Sequence, residues 1–211
     1  MVPIGDALVK LKVPHGGFLA GLKMWSPEFC SGPAKICGPA HIVRMVPASN
    51  KIAPTPQRHF ADTITSGSVV FVSQPKGLTS ACWGGLMSTR ATKLGAAGVI
   101  INGKFRDINE HRELGIGLFA RDVSSLGSNT FTRSSEINIP VEYDLPEVDS
   151  HVVVNPGDVL VGDCDGVCAV PPNLISECID LCQERADIDE QTLKVLKNGE
   201  EMGPTIKKLR K

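Results

Sequence analysis

The sequence has no excess of charge of either sign, because 22 Lys and Arg residues face 23 Asp and Glu residues in 211 positions. A protein that binds nucleic acid usually shows a basic excess, so this balance argues against a nucleic-acid partner. No apolar run is long enough to cross a bilayer, so no membrane partner is predicted either. The opening stretch MVPIGDALVKLKVPHGG lacks the charged start and apolar run of a secretory signal, which favours a cytoplasmic location.

Motifs for nucleotides and for zinc are also missing. Neither the dinucleotide pattern GxGxxG nor the Walker pattern GxxxxGK[ST] occurs, so no nucleotide cofactor is expected. The chain has seven cysteines, but their spacings do not form the CxxC pairs that are typical of zinc sites. In a reducing compartment, cysteines are most simply small buried hydrophobic residues.

The middle of the chain alternates between apolar runs and amphipathic stretches. Buried strands are predicted over Gly38–Pro47, Ser68–Gln74, Val99–Ile101 and Ile116–Ala120. Helices are predicted over Pro56–Gly67, within TSACWGGLMSTRATKLGAAG, and over Asp107–Leu114. This order of elements is typical of an α/β protein with a parallel sheet.

The second half of the chain has a different pattern. Four short runs, EINIPVEYD, HVVV, DVLVGD and VCAV, leave no room for helices between them and predict antiparallel or barrel-like strands. Two helices are then predicted over Pro172–Arg185 and Asp187–Asn198, after a polar loop over Arg121–Ser135 between the two halves. A split at that loop would leave two small cores. One domain over residues 1–211, with a C-terminal helical extension over about residues 172–211, is therefore preferred.

Two polar features follow neighbouring strands of the predicted sheet. The pair Gly84–Gly85 stands where a helix begins, and Arg106–Asp107 follow the strand Val99–Ile101 and a turn at Asn102–Gly103. Ligands of open α/β sheets bind beyond the carboxyl ends of strands, where a helix start and an arginine suit a carboxylate or phosphate. Asp107 could hold a hard cation such as Mg²⁺. The simpler alternative is a packing contact beside a helix cap and a surface charge.

Other polar residues are weaker candidates. His111 is expected on an exposed helix face, and Lys93 and Lys104 in solvent. Asp163 and Asp165 suit a tight turn better than a metal site. Arg121 and Asp122 either line the same sheet edge or are plain loop charges.

Several motifs together resemble one protein family. Gly85, twenty intervening residues and Arg106-Asp107 form the pattern G-x20-R-D. GGLMSTRA, RDINEHRELGIGLFA and VNPGDVLVGDCDGVCAVP occur in the same order, and the set resembles the RraA-like family. That family includes the regulator of ribonuclease activity A and the 4-hydroxy-4-methyl-2-oxoglutarate aldolases. The resemblance implies a three-layer β/β/α fold of the swivelling-domain type, and a homotrimer or homohexamer with sites between subunits.

The resemblance also implies a function and the residues that perform it. The expected activity is that of a lyase that needs Mg²⁺, Mn²⁺ or another divalent cation and acts on small 2-oxo acids through a pyruvate enolate. Its substrates would be 4-hydroxy-4-methyl-2-oxoglutarate, 4-carboxy-4-hydroxy-2-oxoadipate or oxaloacetate. The alternative is a non-catalytic regulatory or protein-binding member of the family.

In the lyase reading, each site residue has an expected role. Arg106 stabilises the oxygen that gains charge, and Asp107 holds the metal. A C-terminal glutamate enters the neighbouring subunit's site, with Glu190 the best match and Glu184 close to it. The substrate carboxylate is bound by backbone amides of Gly84, Gly85, Leu86 and Met87.

Overall fold

The long strand β2, Ile36–Pro47, organises the sheet. The computed structural model describes residues 2–145 and 148–210. Within them, β2 pairs in parallel with β3 (Val69–Ser73) and antiparallel with β6 (Thr132–Ile137) and β9 (Val159–Asp163). Both halves of the chain therefore meet in one sheet along this strand.

The parallel part of the sheet carries the helices that the sequence predicts. The strands β2, β3, β4 (Gly98–Phe105) and β5 (Leu118–Val123) run parallel, and β1 (Lys23–Ser26) closes the edge antiparallel to β5. Helix α2 (Gly85–Lys93) joins β3 to β4, and helix α3 (Ile108–Leu114) joins β4 to β5.

The antiparallel strands follow as predicted. β9 pairs with β10 (Gly166–Val170), and β7 (Val141–Asp144) pairs with β8 (His151–Val154) as a separate two-stranded sheet. Alternate residues of β3 face opposite sides: Phe71 packs with Tyr143 of the small sheet, whereas Val70 and Val72 belong to the core that includes α2. The predicted three-layer β/β/α arrangement is thereby confirmed.

A third apolar cluster holds the helices at the chain ends. α1 (Val2–Lys10), α4 (Ile175–Lys197) and β10 share it, and the short helix α5 (Met202–Leu209) packs on α4. Arg210 Nη2, just after α5, contacts Asp189 Oδ1 on α4 at 2.6 Å. In the described part of the chain, no helix is both long enough and apolar enough to cross a membrane.

Three predicted elements were wrong in extent. Pro56–Gly67 forms only a 3₁₀ turn at Phe60–Asp62, because His59 and Thr63 bond to nearby backbone groups that a helix would need. The two predicted C-terminal helices are the single helix α4, which is followed by the separate α5. Part of the predicted polar loop Arg121–Ser135 belongs to β5 and β6.

A fourth difference concerns the predicted turn at Asn102–Gly103, which is part of β4. The strand continues to Phe105 because the segment Cys82–Trp83 pairs beside it. The Cys82 amide donates to the Lys104 carbonyl at 2.9 Å, and the Arg106 amide donates to the Trp83 carbonyl at 3.1 Å. This pairing is tertiary, so the local sequence does not reveal it.

The buried His41 on β2 should make the free energy of unfolding depend on pH. It is 3% exposed, its Nε2 lies 3.1 Å from Thr63 Oγ1, and burial lowers its pKa below the ordinary 6.5. Below about pH 6.5 the unfolded chain therefore binds a proton that the folded chain resists, and stability falls as pH falls. Denaturant unfolding from pH 7.5 to pH 5 should show this loss. His41→Gln keeps a donor near Thr63. It should reduce the slope of the unfolding free energy against pH by at most about 1.4 kcal/mol per pH unit. Identical slopes for both proteins would contradict the assignment.

Candidate functional site

The start of helix α2 lies against the end of strand β4. Since Cys82–Trp83 pairs with Lys104–Arg106, the following glycine pair arrives beside Arg106 and Asp107. Trp83 is 1% exposed, and its indole Nε1–H donates to Ser88 Oγ on α2 at 2.8 Å, which fixes the direction of the helix. The two features that the sequence placed at one sheet edge are indeed together.

Asp107 connects them directly. Its carboxylate Oδ2 accepts a hydrogen bond from the Gly85 amide at 3.0 Å, and the Arg106 Nε lies 3.5 Å from the same oxygen. The other oxygen, Oδ1, has no polar partner among the described residues. Asp107 is the N-cap residue of α3 in the left-handed conformation, with φ 68° and ψ 46°. This backbone conformation is uncommon outside glycine but better tolerated by aspartate.

The backbone amides of α2 are not all free for a ligand. The first amides of a helix have no intrahelical acceptor. The Gly85 amide is bonded to Asp107, and the Met87 amide donates to the Gly84 carbonyl at 3.0 Å. The Leu86 amide, which lies between them, has no acceptor within the described residues. The Leu86 side chain is 89% exposed.

Carboxylate oxygens approach both glycines closely. A Cβ at Gly84 would lie 2.7 Å from Asp107 Oδ2, and a Cβ at Gly85 would overlap Glu110 Oε2. The Glu110 carboxylate has no hydrogen bond or ion pair with another described residue. The sequence analysis missed this residue. The signal in the sequence is a second carboxylate three residues after Asp107, at the third position of the helix that Asp107 precedes.

Arg106 and Asp107 line two adjoining spaces. One is a cavity of about 80 Å³ that also contacts Trp83, Gly84, Leu86 and Met87. The other is an open cleft of about 750 Å³ that also contacts Trp25, Phe29, Glu110 and Arg112. The small cavity has room for only a few atoms, and the larger cleft is open to solvent.

His111 lies inside the protein, so the expected exposed position was wrong. It is 0% exposed, because α3 turns this side of its polar sequence toward Phe105, with ring centroids 5.4 Å apart. Its Nε2 lies 2.7 Å from the Arg106 carbonyl oxygen. Burial lowers the pKa of His111, although the Arg106 bond and nearby carboxylates oppose that shift. The neutral form is therefore favoured.

The remaining arginine–aspartate pair lies elsewhere. Arg121 donates to Asn102 Oδ1 at 2.6 Å and to the Asp144 carbonyl at 2.7 Å, and its guanidinium lies over the Tyr143 ring. Asp122 bonds to Lys104 Nζ at 2.8 Å. Both residues line a separate cleft that does not include Arg106 or Asp107.

Two other predicted candidates have surroundings of their own. Asp163 accepts from the Asp165 amide at 3.0 Å in the β9–β10 hairpin, as the predicted tight turn requires. Glu190 lies exposed on α4, where Lys194 at 2.7 Å lowers the pKa of its carboxyl. It does not line either space beside Asp107 in its own subunit. Its predicted entry into a neighbouring subunit stays a prediction.

The donor set at Asp107 fits a hard divalent cation. Mg²⁺ is usually bound through one or two carboxylates, with water and substrate completing its ligands. The unpartnered Asp107 Oδ1 and the Glu110 carboxylate supply such oxygens, and neither is engaged by a lysine of the described chain. The nearby Arg106 can then face an anionic ligand.

The fold is shared with solved proteins. The structure of an uncharacterized protein from Pseudomonas syringae pv. tomato superposes with a TM-score of 0.80 over 97% of this chain and 90% of that chain, at 24% identity. Streptomyces coelicolor RraAS2, described as an unusual member of the RNase ES inhibitor RraA protein family, gives 0.69 over 93% and 91%, at 22% identity. At such identities, the likeness shows the fold alone.

Sequence comparison gives the family. A 4-hydroxy-4-methyl-2-oxoglutarate aldolase of Thermus thermophilus is 34% identical over 106 residues. That segment is 50% of this chain and 60% of the relative, so the chain spans less than two thirds of it. The family described as RraA-like: Aldolase/RraA matches residues 5–169. Because this match covers most of the 211 residues and includes the glycine pair and Arg106–Asp107, the chain belongs to the RraA-like family.

Proposed function

We propose that this protein is a divalent-metal-dependent lyase that cleaves or decarboxylates small 2-oxo acids through a pyruvate enolate. The observation that carries the proposal is the Asp107 carboxylate. One of its oxygens, Oδ2, is fixed by the Gly85 amide and lies 3.5 Å from the Arg106 Nε, and the other, Oδ1, has no partner in the described chain. A carboxylate that only capped helix α2 would need the hydrogen bond from Gly85. It would need neither an unpartnered second oxygen nor Arg106 beside it.

The substrate head is proposed to bind in the small cavity. The Leu86 amide has no acceptor within the described chain, so it is available to donate a hydrogen bond to the carboxylate of a 2-oxo acid. Gly84 leaves space in this cavity, since a Cβ there would lie 2.7 Å from Asp107 Oδ2. The tail would occupy the open cleft beside Trp25 and Arg112.

Arg106 is proposed to stabilise developing charge. Retro-aldol cleavage and β-decarboxylation of a 2-oxo acid both place negative charge on the 2-oxo oxygen. A guanidinium held at that oxygen stabilises the transition state more than the ground state. Mg²⁺ or Mn²⁺ held by Asp107, with Glu110 adjacent, would add Lewis-acid polarisation of the 2-oxo group.

The aldol substrates also need a base for the proton of the 4-hydroxyl group. Glu110 is a carboxylate at the cleft that has no partner among the described residues. Glu190 from a neighbouring subunit of a homotrimer or homohexamer is the second candidate for that role. Decarboxylation needs no such base, so oxaloacetate is the less demanding substrate.

The direct test is release of pyruvate from oxaloacetate, coupled to lactate dehydrogenase and NADH. The assay should be run with Mg²⁺ and then with EDTA, after subtraction of the decarboxylation caused by the metal alone. Protein-dependent release that EDTA stops is the expected result. If a folded protein releases no pyruvate at any metal concentration, the lyase proposal fails and the regulatory branch of the family becomes the better account.

Asp107→Asn isolates the charge of the metal carboxylate. The oxygen of the substituted amide side chain can still accept from the Gly85 amide, so the fold and oligomer should survive. Pyruvate release should fall to the background of the metal alone, because a neutral amide is a poor ligand for Mg²⁺. Asp122→Asn makes the same charge change in the other cleft and should stay active. An active Asp107→Asn protein would contradict the assignment.

Arg106→Ala tests the stabilising cation. The kcat should fall on the order of a hundredfold or more, as for loss of one oxyanion donor, and KM should change less. Arg90→Ala, which removes an exposed arginine from α2 and its ion pair with Asp62, is the matched control. A loss confined to KM would instead mean that Arg106 only binds the ground state.

Gly85→Ala tests the close approach of Glu110. A Cβ at this helix start would displace the Glu110 carboxylate, which has a flexible side chain, so stability should change by about 1 kcal/mol or less. Mn²⁺ affinity and turnover should nevertheless fall. In a Glu110→Ala background the same Gly85→Ala change should have little further effect. Equal losses in both backgrounds would mean that Gly85 acts independently of Glu110.

A further inference from the structure

His111 is a buried residue beside the site whose role the proposed chemistry leaves unexplained. It is fully enclosed, its Nε2 lies 2.7 Å from the Arg106 carbonyl oxygen, and its Nδ1 has no partner within the described chain. A carbonyl oxygen only accepts, so Nε2 carries the proton and donates. If the residue served packing alone, a leucine would fill the same space without the free-energy cost of a buried, unpaired Nδ1.

The bond acts on a strained point of the backbone. Asp107 has φ 68°, a left-handed conformation that is unfavourable for a residue other than glycine and persists only where the surroundings enforce it. The Arg106 amide is already bonded to the Trp83 carbonyl. The His111 bond to the Arg106 carbonyl fixes the second peptide group, so the backbone is anchored on both sides of Arg106.

We propose that His111 is a positioning residue that holds the Arg106–Asp107 peptide in the orientation that directs the Asp107 carboxylate to the Gly85 amide. The inference rests on the proposed function for its catalytic meaning, but its structural content holds without metal or substrate. The bond sets the turn, the turn sets the direction of Asp107, and Asp107 joins α3 to the start of α2.

Variants of different reach separate the hydrogen bond from packing. His111→Gln places an amide donor near the position of Nε2, His111→Asn has a shorter side chain that does not reach the carbonyl, and His111→Leu fills the volume without a donor. Leu114→Ala is the control, because it removes apolar packing from the same helix and its side chain has no hydrogen-bonding group.

The first readout is hydrogen exchange of the Gly85 amide in metal-free protein, measured by NMR with the global stability of each variant. His111→Leu and His111→Asn should exchange this amide at least about tenfold faster than wild type, whereas His111→Gln and Leu114→Ala should stay within about threefold after correction for stability. Equal exchange in His111→Leu and His111→Gln would overturn the proposal.

Two further measurements complete the test. The ¹⁵N shifts of the wild-type imidazole should show a protonated Nε2 and an unprotonated Nδ1, so the opposite tautomer would overturn the proposal even if the variants do not fold. Mn²⁺ binding followed by EPR should weaken about 10- to 100-fold in His111→Leu, and much less in His111→Gln. Wild-type protein that binds no Mn²⁺ would sink the proposed function, while the exchange result would still decide the role of His111.

Discussion

The hydrogen bond from the Gly85 amide to Asp107 Oδ2 is the contact on which the site depends. It joins the starts of two helices that follow different strands, and it fixes one carboxylate oxygen while the other has no partner in the described chain. A Cβ at either glycine would occupy the space of a carboxylate oxygen. The site therefore combines three features. These are small residues at the start of α2, a strained backbone at Asp107, and the Arg106 guanidinium beside the Asp107 carboxylate.

The sheet brings these elements together by extending β4 past the apolar run that the sequence shows. Backbone bonds between Cys82–Trp83 and Lys104–Arg106 carry the chain to the start of α2. The buried Trp83 and its bond to Ser88 then orient that helix. The end of a paired strand thus positions Arg106 and Asp107 beside the open cleft that Trp25 also lines.

The order of predicted elements gave the parallel α/β part and the antiparallel part, and the rule for strand ends gave the meeting of Gly85 with Asp107. The three-layer arrangement was implied only by the resemblance to the RraA-like family. The sequence did not predict that β4 reaches Phe105, since the partner of that segment is distant in sequence. His111 was misplaced because α3 is polar on both sides, and a polar sequence does not reveal which side is enclosed. Glu110 was missed although its spacing from Asp107 was visible, since only the fold shows that it faces Gly85.

The most direct measurement is a crystal structure with Mn²⁺ and oxalate, a planar dianion that resembles the enolate of pyruvate, using the anomalous signal to locate manganese. The account predicts an anomalous peak at Asp107 Oδ1, bonded directly or through one water, with oxalate between that ion and the Arg106 guanidinium. Manganese at the Asp163–Asp165 turn with none at Asp107, or oxalate bound away from Arg106, would contradict it.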